Sequence, residues 1–151
     1  MRWITRERAM VDRIACPWLI KNFIDPNAEF IFVPAQDVLK KAKELNAIPF
    51  DVDNAELTHY FEGNEEYVSF DALIKKYNLK DPALLELAKI VRGADAKIDN
   101  APFESYGLKA IAQGFRIVSR DDYENMKLQF PVYDALYAFC RVKINERNKS
   151  L

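Results

Sequence analysis

The order of apolar segments in the first half of the chain restricts the possible folds more than any other feature. Residues 3–5, 30–33 and 48–52 are short and apolar, as is typical of strands. A helix is predicted in each of the two intervals between them, and the second of these helices begins at Asp37. Strand–helix–strand–helix–strand order folds most simply into a right-handed layer with parallel strands. The sequence therefore predicts an α/β fold with a short central sheet and flanking helices.

The second half of the chain is predicted to be helical. A hairpin around residues 62–64 precedes it, and Ser69 is predicted to start the first helix. Asp81 followed by Pro82 is a strong start signal for the next helix, and Gly93 is its natural stop. A helix is predicted over residues 105–115 and another after Ser119. Pro131 is predicted to break that helix, so that a last helix covers residues 132–143.

Length and composition indicate one domain with a substantial core. The chain has 151 residues, half of them apolar, which excludes a disordered chain. We assign residues 1–145 to a single domain and residues 146–151 to a basic tail. The net charge of −1 gives no basic field for nucleic acid, so we expect no direct nucleic-acid binding by this chain.

The sequence contains neither a membrane-span pattern nor a secretory leader pattern. No apolar run approaches the ~20 residues of a membrane helix, and charge returns too early at the N-terminus for a signal peptide. The two cysteines, Cys16 and Cys140, are far apart and do not indicate a disulfide framework. We therefore expect a cytoplasmic protein without a membrane partner.

Arg6, Arg8 and Arg13 surround a predicted helix start. Pro17 favours Cys16 as the cap residue of this helix, and Asp12 is the alternative. Helix starts offer unpaired N–H groups, and arginine presents a planar fork of donors, so together they suit a small oxyanion. Ion pairs with neighbouring carboxylates are the structural alternative. The same positive surroundings predict a lowered pKa for Cys16, whereas packing as a small buried residue is its structural alternative.

Eight stretches of the sequence occur in the order of one known family and cover nearly the whole chain. These stretches are residues 11–20, 22–26, 29–34, 47–51, 69–71, 81–84, 90–95 and 133–137. Through them the sequence resembles the ChrB family of chromate-resistance proteins, specifically its C-terminal domain. The resemblance implies a domain tied to chromate or oxyanion response, with the DNA-binding module of the regulator members missing, since the signature begins at residue 3.

Two residues in one of these stretches are further ligand candidates. Gly93 would free the backbone to turn, which would aim Arg92 and Asp95 into a shared cleft. A plain helix end explains Gly93 equally well. We include Arg92 and Asp95 in the predicted ligand site.

His59 is the single histidine, and acidic residues lie near it in the sequence. An imidazole with the carboxylates of Asp51 and Glu62 would suit a divalent ion such as Mn, Fe or Zn. A hydrogen-bonded core histidine is the structural alternative, because strand alternation places His59 on the face of Leu57 and Phe61.

Three functions therefore compete on the sequence. The first is a small-ligand binding or sensing domain for a chromate-type oxyanion, which we favour because donors are more evident than a nucleophile with its base. The second is a metal-dependent enzyme built around His59, with Asp51, Asp95 or Glu62 and a divalent ion as cofactor. The third is an interaction module, for which a homodimer is one form. We leave whether it is an enzyme open.

Overall fold

A three-stranded parallel sheet forms the centre of the computed structural model, which describes residues 1–150. The strands are β1 (Arg2–Arg6), β2 (Glu29–Val33) and β3 (Ile48–Pro49), in the order β2-β1-β3. The central β1 pairs along its whole length with β2 and through two residues with β3. The predicted α/β class with a short sheet and a helical C-terminal half is confirmed.

The helices that connect these strands follow the predicted order. Helix α1 (Asp12–Leu19) begins at Asp12, so the favoured start at Cys16 is wrong, and Pro17 lies inside the helix. The helix continues as a π-helical turn (Ile20–Ile24). Helix α2 (Val38–Leu45) ends at Asn46, whose left-handed φ of 51° closes the helix.

β3 ends three residues earlier than predicted. The chain continues its contact with the sheet through Phe50, whose amide donates to the Ile4 carbonyl at 3.0 Å. Asp51 then adopts φ 51°, a left-handed conformation that an extended strand does not contain. The strand must therefore stop here, and the turn presents the Asp51 side chain at the carboxyl end of the sheet. A hairpin of β4 (Tyr60–Glu62) and β5 (Glu65–Tyr67) follows.

The helical half contains α3 (Ser69–Lys76), α4 (Pro82–Asp95), α5 (Phe103–Val118) and α6 (Asp122–Lys149). The predicted stop at Gly93 is wrong, because α4 continues to Asp95. The helix needs a glycine there for another reason, since an added Cβ would lie 2.9 Å from the Cβ of Ser105 on α5. Glycine here serves close helix packing rather than a turn.

The predicted break at Pro131 is also wrong, because α6 is one continuous helix of 28 residues. Proline removes the hydrogen bond to the carbonyl of Lys127. Both Pro131 and Lys127 are exposed, so water can bind that carbonyl. The helix also extends through residues 146–149 of the predicted basic tail, while residue 151 lies outside the described residues.

Helix α6 fastens the loop that joins β1 to α1. The Asp122 carboxylate accepts the amides of Arg8 and Ala9 at 2.9 and 2.7 Å, and Asn125 donates to the Ala9 carbonyl. Further along, the hydroxyl of Tyr133 donates to the carbonyl of Val11. These contacts hold the N-terminal end of α1 in place. No helix within residues 1–150 combines the length and apolarity that crossing a membrane requires.

Candidate functional site

His59 lies at the centre of a cluster of carboxylates at the carboxyl end of the sheet. Its Nε2 atom lies 2.9 Å from Asp95, 3.4 Å from Asp51 and 3.5 Å from Asp12, measured to the nearest carboxylate oxygen. Its Nδ1 atom lies 3.3 Å from Oε1 of Glu66. The imidazole therefore bridges four acidic side chains from α1, the β3 turn, the hairpin and α4, and we call these five residues the His59 cluster.

Asp12 is the most buried member of the His59 cluster. As the first residue of α1, it accepts the amides of Ser69 and Phe70 at 2.8 and 3.2 Å and the Cys16 thiol at 3.3 Å. The amides belong to the start of α3, whose positive dipole end favours a carboxylate. Burial nevertheless raises the pKa of Asp12 to about 7, and the charges of Asp95 and Asp51 act in the same direction.

Asp51 is the second buried carboxylate, and it is well supplied with donors. The Ser69 hydroxyl donates to Oδ1 at 2.7 Å, while Arg6 Nη2 and Arg13 Nε lie 3.2 and 3.6 Å from Oδ2. Burial alone would raise its pKa. The hydrogen bonds from His59 and Ser69 and the two guanidinium groups outweigh burial and lower the pKa of Asp51 to about 2.

The carboxylates keep His59 protonated. Hydrogen bonds with Asp12, Asp51 and Asp95 raise the pKa of His59 far above its usual range, against the effect of its partial burial. The cleft thus holds an imidazolium as the cation that balances its acidic groups. About a third of the imidazole is exposed, so solvent reaches the cluster from this side.

Asp12, His59 and Asp95 can act together as metal ligands. Each offers one donor atom, and the three atoms lie within 4.8 Å of one another. One imidazole nitrogen with two carboxylate oxygens is a donor set that divalent ions such as Zn²⁺, Mn²⁺ and Fe²⁺ accept. The continuation of α4 past Gly93 places Asp95 at its last position, within reach of this set.

The predicted metal residues are brought together only in part. His59 and Asp51 lie in the cluster, whereas Glu62 lies on the exposed edge of the hairpin and pairs with Lys75 at 2.9 Å. Glu66 occupies the hairpin position next to the imidazole instead.

The predicted ligand-binding arginines are divided between different partners. Arg6 and Arg13 converge on Asp51, but Arg92 pairs with Asp71 through two hydrogen bonds of 2.7 and 3.0 Å. Arg8 has φ 61° and gives its carbonyl to Arg13, while its own side chain is exposed. Asp95 reaches the cluster. The structure therefore does not form one pocket from all the predicted arginines.

Cys16 lies beside Asp12, but its predicted activation is wrong. The thiol is fully buried, and burial together with the charges of Asp12 and Asp51 raises its pKa well above the usual value. The reason is that the carboxylates, rather than the arginines, are its charged neighbours. Cys16 is a packed donor to Asp12 and not a reactive thiolate.

Sequence reasoning missed three contributors to the cluster: Asp12 as a ligand, Glu66 and Ser69. Asp12 and Ser69 both stand at helix starts, where Asp and Ser have an ordinary structural explanation. A carboxylate inside a family-like stretch, four residues before a cysteine, is the only sequence signal that could have singled out Asp12.

Similarity to known proteins extends over nearly the whole chain. The family model described as "ChrB, C-terminal domain" matches residues 3–140. Protein ChrB of Cupriavidus metallidurans is 33% identical over 138 residues, which are 90% of this chain. The chain spans 40% of the length of that relative. No solved structure matches this chain. The breadth of the family match and the identity to the relative show that the chain belongs to the ChrB family and corresponds to its C-terminal domain.

Proposed function

We propose that this domain is a small-ligand sensing domain connected with chromate resistance, and that the His59 cluster binds a divalent cation. Family membership supports the connection with chromate resistance, and it gives the metal-dependent enzyme no support. The observation that carries cation binding is the convergence of Asp12, His59 and Asp95 within 4.8 Å.

The charge of the cleft favours a cation over an anion. Four carboxylates surround His59, and the fixed positive charges of Arg6 and Arg13 are both directed at one of them, Asp51. Two unit charges 4 Å apart interact by roughly 4 kcal/mol at an effective dielectric of 20. A divalent ion that replaces the single proton on His59 therefore gains attraction from Asp12 and Asp95, whereas a dianion would meet repulsion from the same groups.

Oxyanion binding is the second candidate, and one observation favours it. Arg6, Arg13 and protonated His59 all face the Asp51 carboxylate, which occupies the place that an oxyanion would take. An oxyanion would have to displace Asp51 from these three donors. Under this alternative, the Asp51→Asn variant should bind sulfate or chromate more tightly, because the competing carboxylate charge is removed.

Thermal unfolding with Mn²⁺, Zn²⁺, sulfate or chromate separates the candidates. A cation at 100 times its Kd stabilises the folded state by about 2.7 kcal/mol. Asp95→Asn should abolish this stabilisation, whereas Glu62→Gln removes an acid of the same region outside the cluster and should retain it. Cation binding is refuted if neither metal stabilises the protein, or if Asp95→Asn responds as strongly as the unaltered chain.

A further inference from the structure

Helix α5 exposes an apolar face that no other part of residues 1–150 covers. Phe103 is 92% exposed, Tyr106 63%, Ile117 81% and Val118 66%. Exposed aromatic and aliphatic side chains that cluster on one helix face mark an interaction surface more often than scattered ones do. The opposite side of α5, with Ser105, Leu108 and Ala112, is buried against the domain.

The aromatic and the aliphatic residues of this face lie toward opposite ends of the helix. Phe103 and Tyr106 lie toward its N-terminal end, and Gly114, Ile117 and Val118 toward its C-terminal end. Between them is Ala110, at the centre of the exposed face. At 3.6 residues per turn, Phe103 and Ile117 lie within about 20° of Ala110 around the helix axis, and Tyr106 and Gly114 within about 40°.

The geometry points to a second copy of this chain as the occupant: we propose that α5 packs antiparallel against α5 of another copy, with the two-fold axis at Ala110. Phe103 and Ile117 are seven residues from Ala110 on either side, and Tyr106 and Gly114 are four. In a two-fold interface, each contact occurs twice with the partners exchanged. The antiparallel order therefore brings the aromatic end of each helix over the glycine and aliphatic end of the other.

Space at the glycines allows this packing. A Cβ added at Gly107 or Gly114 would meet nothing within 4 Å in the monomer, so the surface there is open. Phe103 of one copy would enter the gap formed by Gly114, Ile117 and Val118 of the other. Small residues at a helix crossing permit the close backbone approach that such a knob needs.

The area available reaches the range of a weak but specific dimer. An aromatic side chain buries about 150–250 Å². At the exposures of Phe103 and Tyr106, the four aromatic rings of two copies would supply roughly 450–800 Å². Ile117 and Val118 of both copies add to this, which brings the total close to the lower limit of specific interfaces, about 1,000 Å². We expect association in roughly the micromolar range.

Charges on the flank of the face predict how salt affects the dimer. Lys109 and Arg116 both lie on one side of Ala110, at about 100–120° around the helix. The antiparallel arrangement gathers the cations of both copies along one edge, where they repel one another. Salt screens this repulsion, so dimer association should strengthen with ionic strength. Lys109→Gln should strengthen association at low salt.

Sedimentation velocity over a range of protein concentrations tests the proposal. We expect a monomer–dimer equilibrium in which Phe103→Glu raises the dimer Kd at least tenfold. Phe61→Glu is the matched control, because Phe61 is 67% exposed on the hairpin and outside α5. A chain that remains monomeric at high concentration, or a dimer weakened equally by both variants, would overturn the proposal.

Thiol cross-linking tests the register. The buried Cys16 and Cys140 have raised pKa values and should not react. With a short bis-maleimide, Ala110→Cys should cross-link across the axis, whereas Gly114→Cys should not, because its two copies would be offset by about 12 Å along the helix. Efficient cross-linking at both positions would indicate a parallel pair and refute the antiparallel one. The variants on α5, at Phe103, Lys109, Ala110 and Gly114, all lie outside the His59 cluster, so their outcome is independent of the proposed function.

Discussion

Binding of a divalent cation should release protons, and the number released should fall as the pH rises. Coordination requires a neutral imidazole and an ionised carboxylate. His59 carries a proton across the neutral range, and Asp12, with a pKa of about 7, carries one in part. Asp12 is therefore more protonated at pH 6 than at pH 8. With the one proton from His59, the count per bound cation should lie between one and two and should fall toward one from pH 6 through pH 7 to pH 8.

Isothermal titration calorimetry with Mn²⁺ or Zn²⁺ in buffers of different ionisation enthalpy measures this count directly. The logarithm of the affinity should rise with pH, and its slope at each pH should equal the number of protons released. Asp12→Asn removes a ligand together with the titrating group, so this variant should lose the heat of cation binding, as Asp95→Asn loses the stabilisation. The reasoning is refuted if the cation binds without releasing protons, or if the unaltered chain releases the same number at all three pH values.

Three further predictions concern the free energy of unfolding, which urea denaturation measures. Gly93→Ala should lower the free energy of unfolding by about 1–3 kcal/mol because the added methyl group clashes with Ser105. Gly107→Ala, measured in dilute protein, should raise it by about 0.5–1 kcal/mol because the site is open. Equal effects of the two substitutions would contradict this contrast. Asp81→Ala should lower the free energy of unfolding by about 1 kcal/mol, since the Asp81 carboxylate caps α4 by accepting two backbone amides. An unchanged urea midpoint would exclude this capping role. The pKa of Asp51 in the folded state is lowered to about 2, so its contribution to the free energy of unfolding is present above pH 4 and is lost as the pH falls through 2. Asp51→Asn should reduce the loss of stability at acid pH by about 2 kcal/mol. An unaltered dependence of stability on pH would show that the arginine contacts do not hold the carboxylate.

The sheet and its two connecting helices could be predicted because their signals are local. Each strand of the β2-β1-β3 layer is a short apolar run, and each helix has its own amphipathic pattern. The early end of β3 could not be predicted this way. It depends on the left-handed conformation of Asp51, which the donors Arg6, Arg13 and Ser69 stabilise from distant positions in the chain.

At both Gly93 and Pro131, the surrounding structure overrides the intrinsic helix preference of the residue. Both residues are helix breakers by intrinsic preference, at about 1 and 3 kcal/mol relative to alanine. At Gly93, close packing against Ser105 favours the residue without a Cβ, and at Pro131 the lost hydrogen bond faces water. Tertiary packing on both sides of each position keeps the helix continuous, and no local pattern reports that packing.

The site was predicted in its centre but not in its full membership. His59 stood out as the single imidazole, yet the hairpin register decides which glutamate reaches it. Phe61 pairs with Glu66 across the hairpin and Glu62 pairs with Glu65, and Glu66 is the one whose side chain meets His59. Strand alternation alone places Glu62 on the face opposite His59. A change of register by one residue would bring Glu65 rather than Glu66 to the face of His59, so the choice between these two glutamates required the three-dimensional structure.

The hydrogen bonds and ion pairs within the His59 cluster determine what a ligand must do. Backbone amides of Ser69 and Phe70 hold Asp12, and three donors hold Asp51, so neither carboxylate can turn away from its neighbours. Their mutual repulsion is balanced in the structure by the proton on His59. A divalent cation would supply the same balance with a greater charge and without moving the scaffold, which is the preorganisation that makes a site selective. An oxyanion, in contrast, would need Asp51 to leave its donors, so the two ligand classes differ in whether the β3 turn must rearrange.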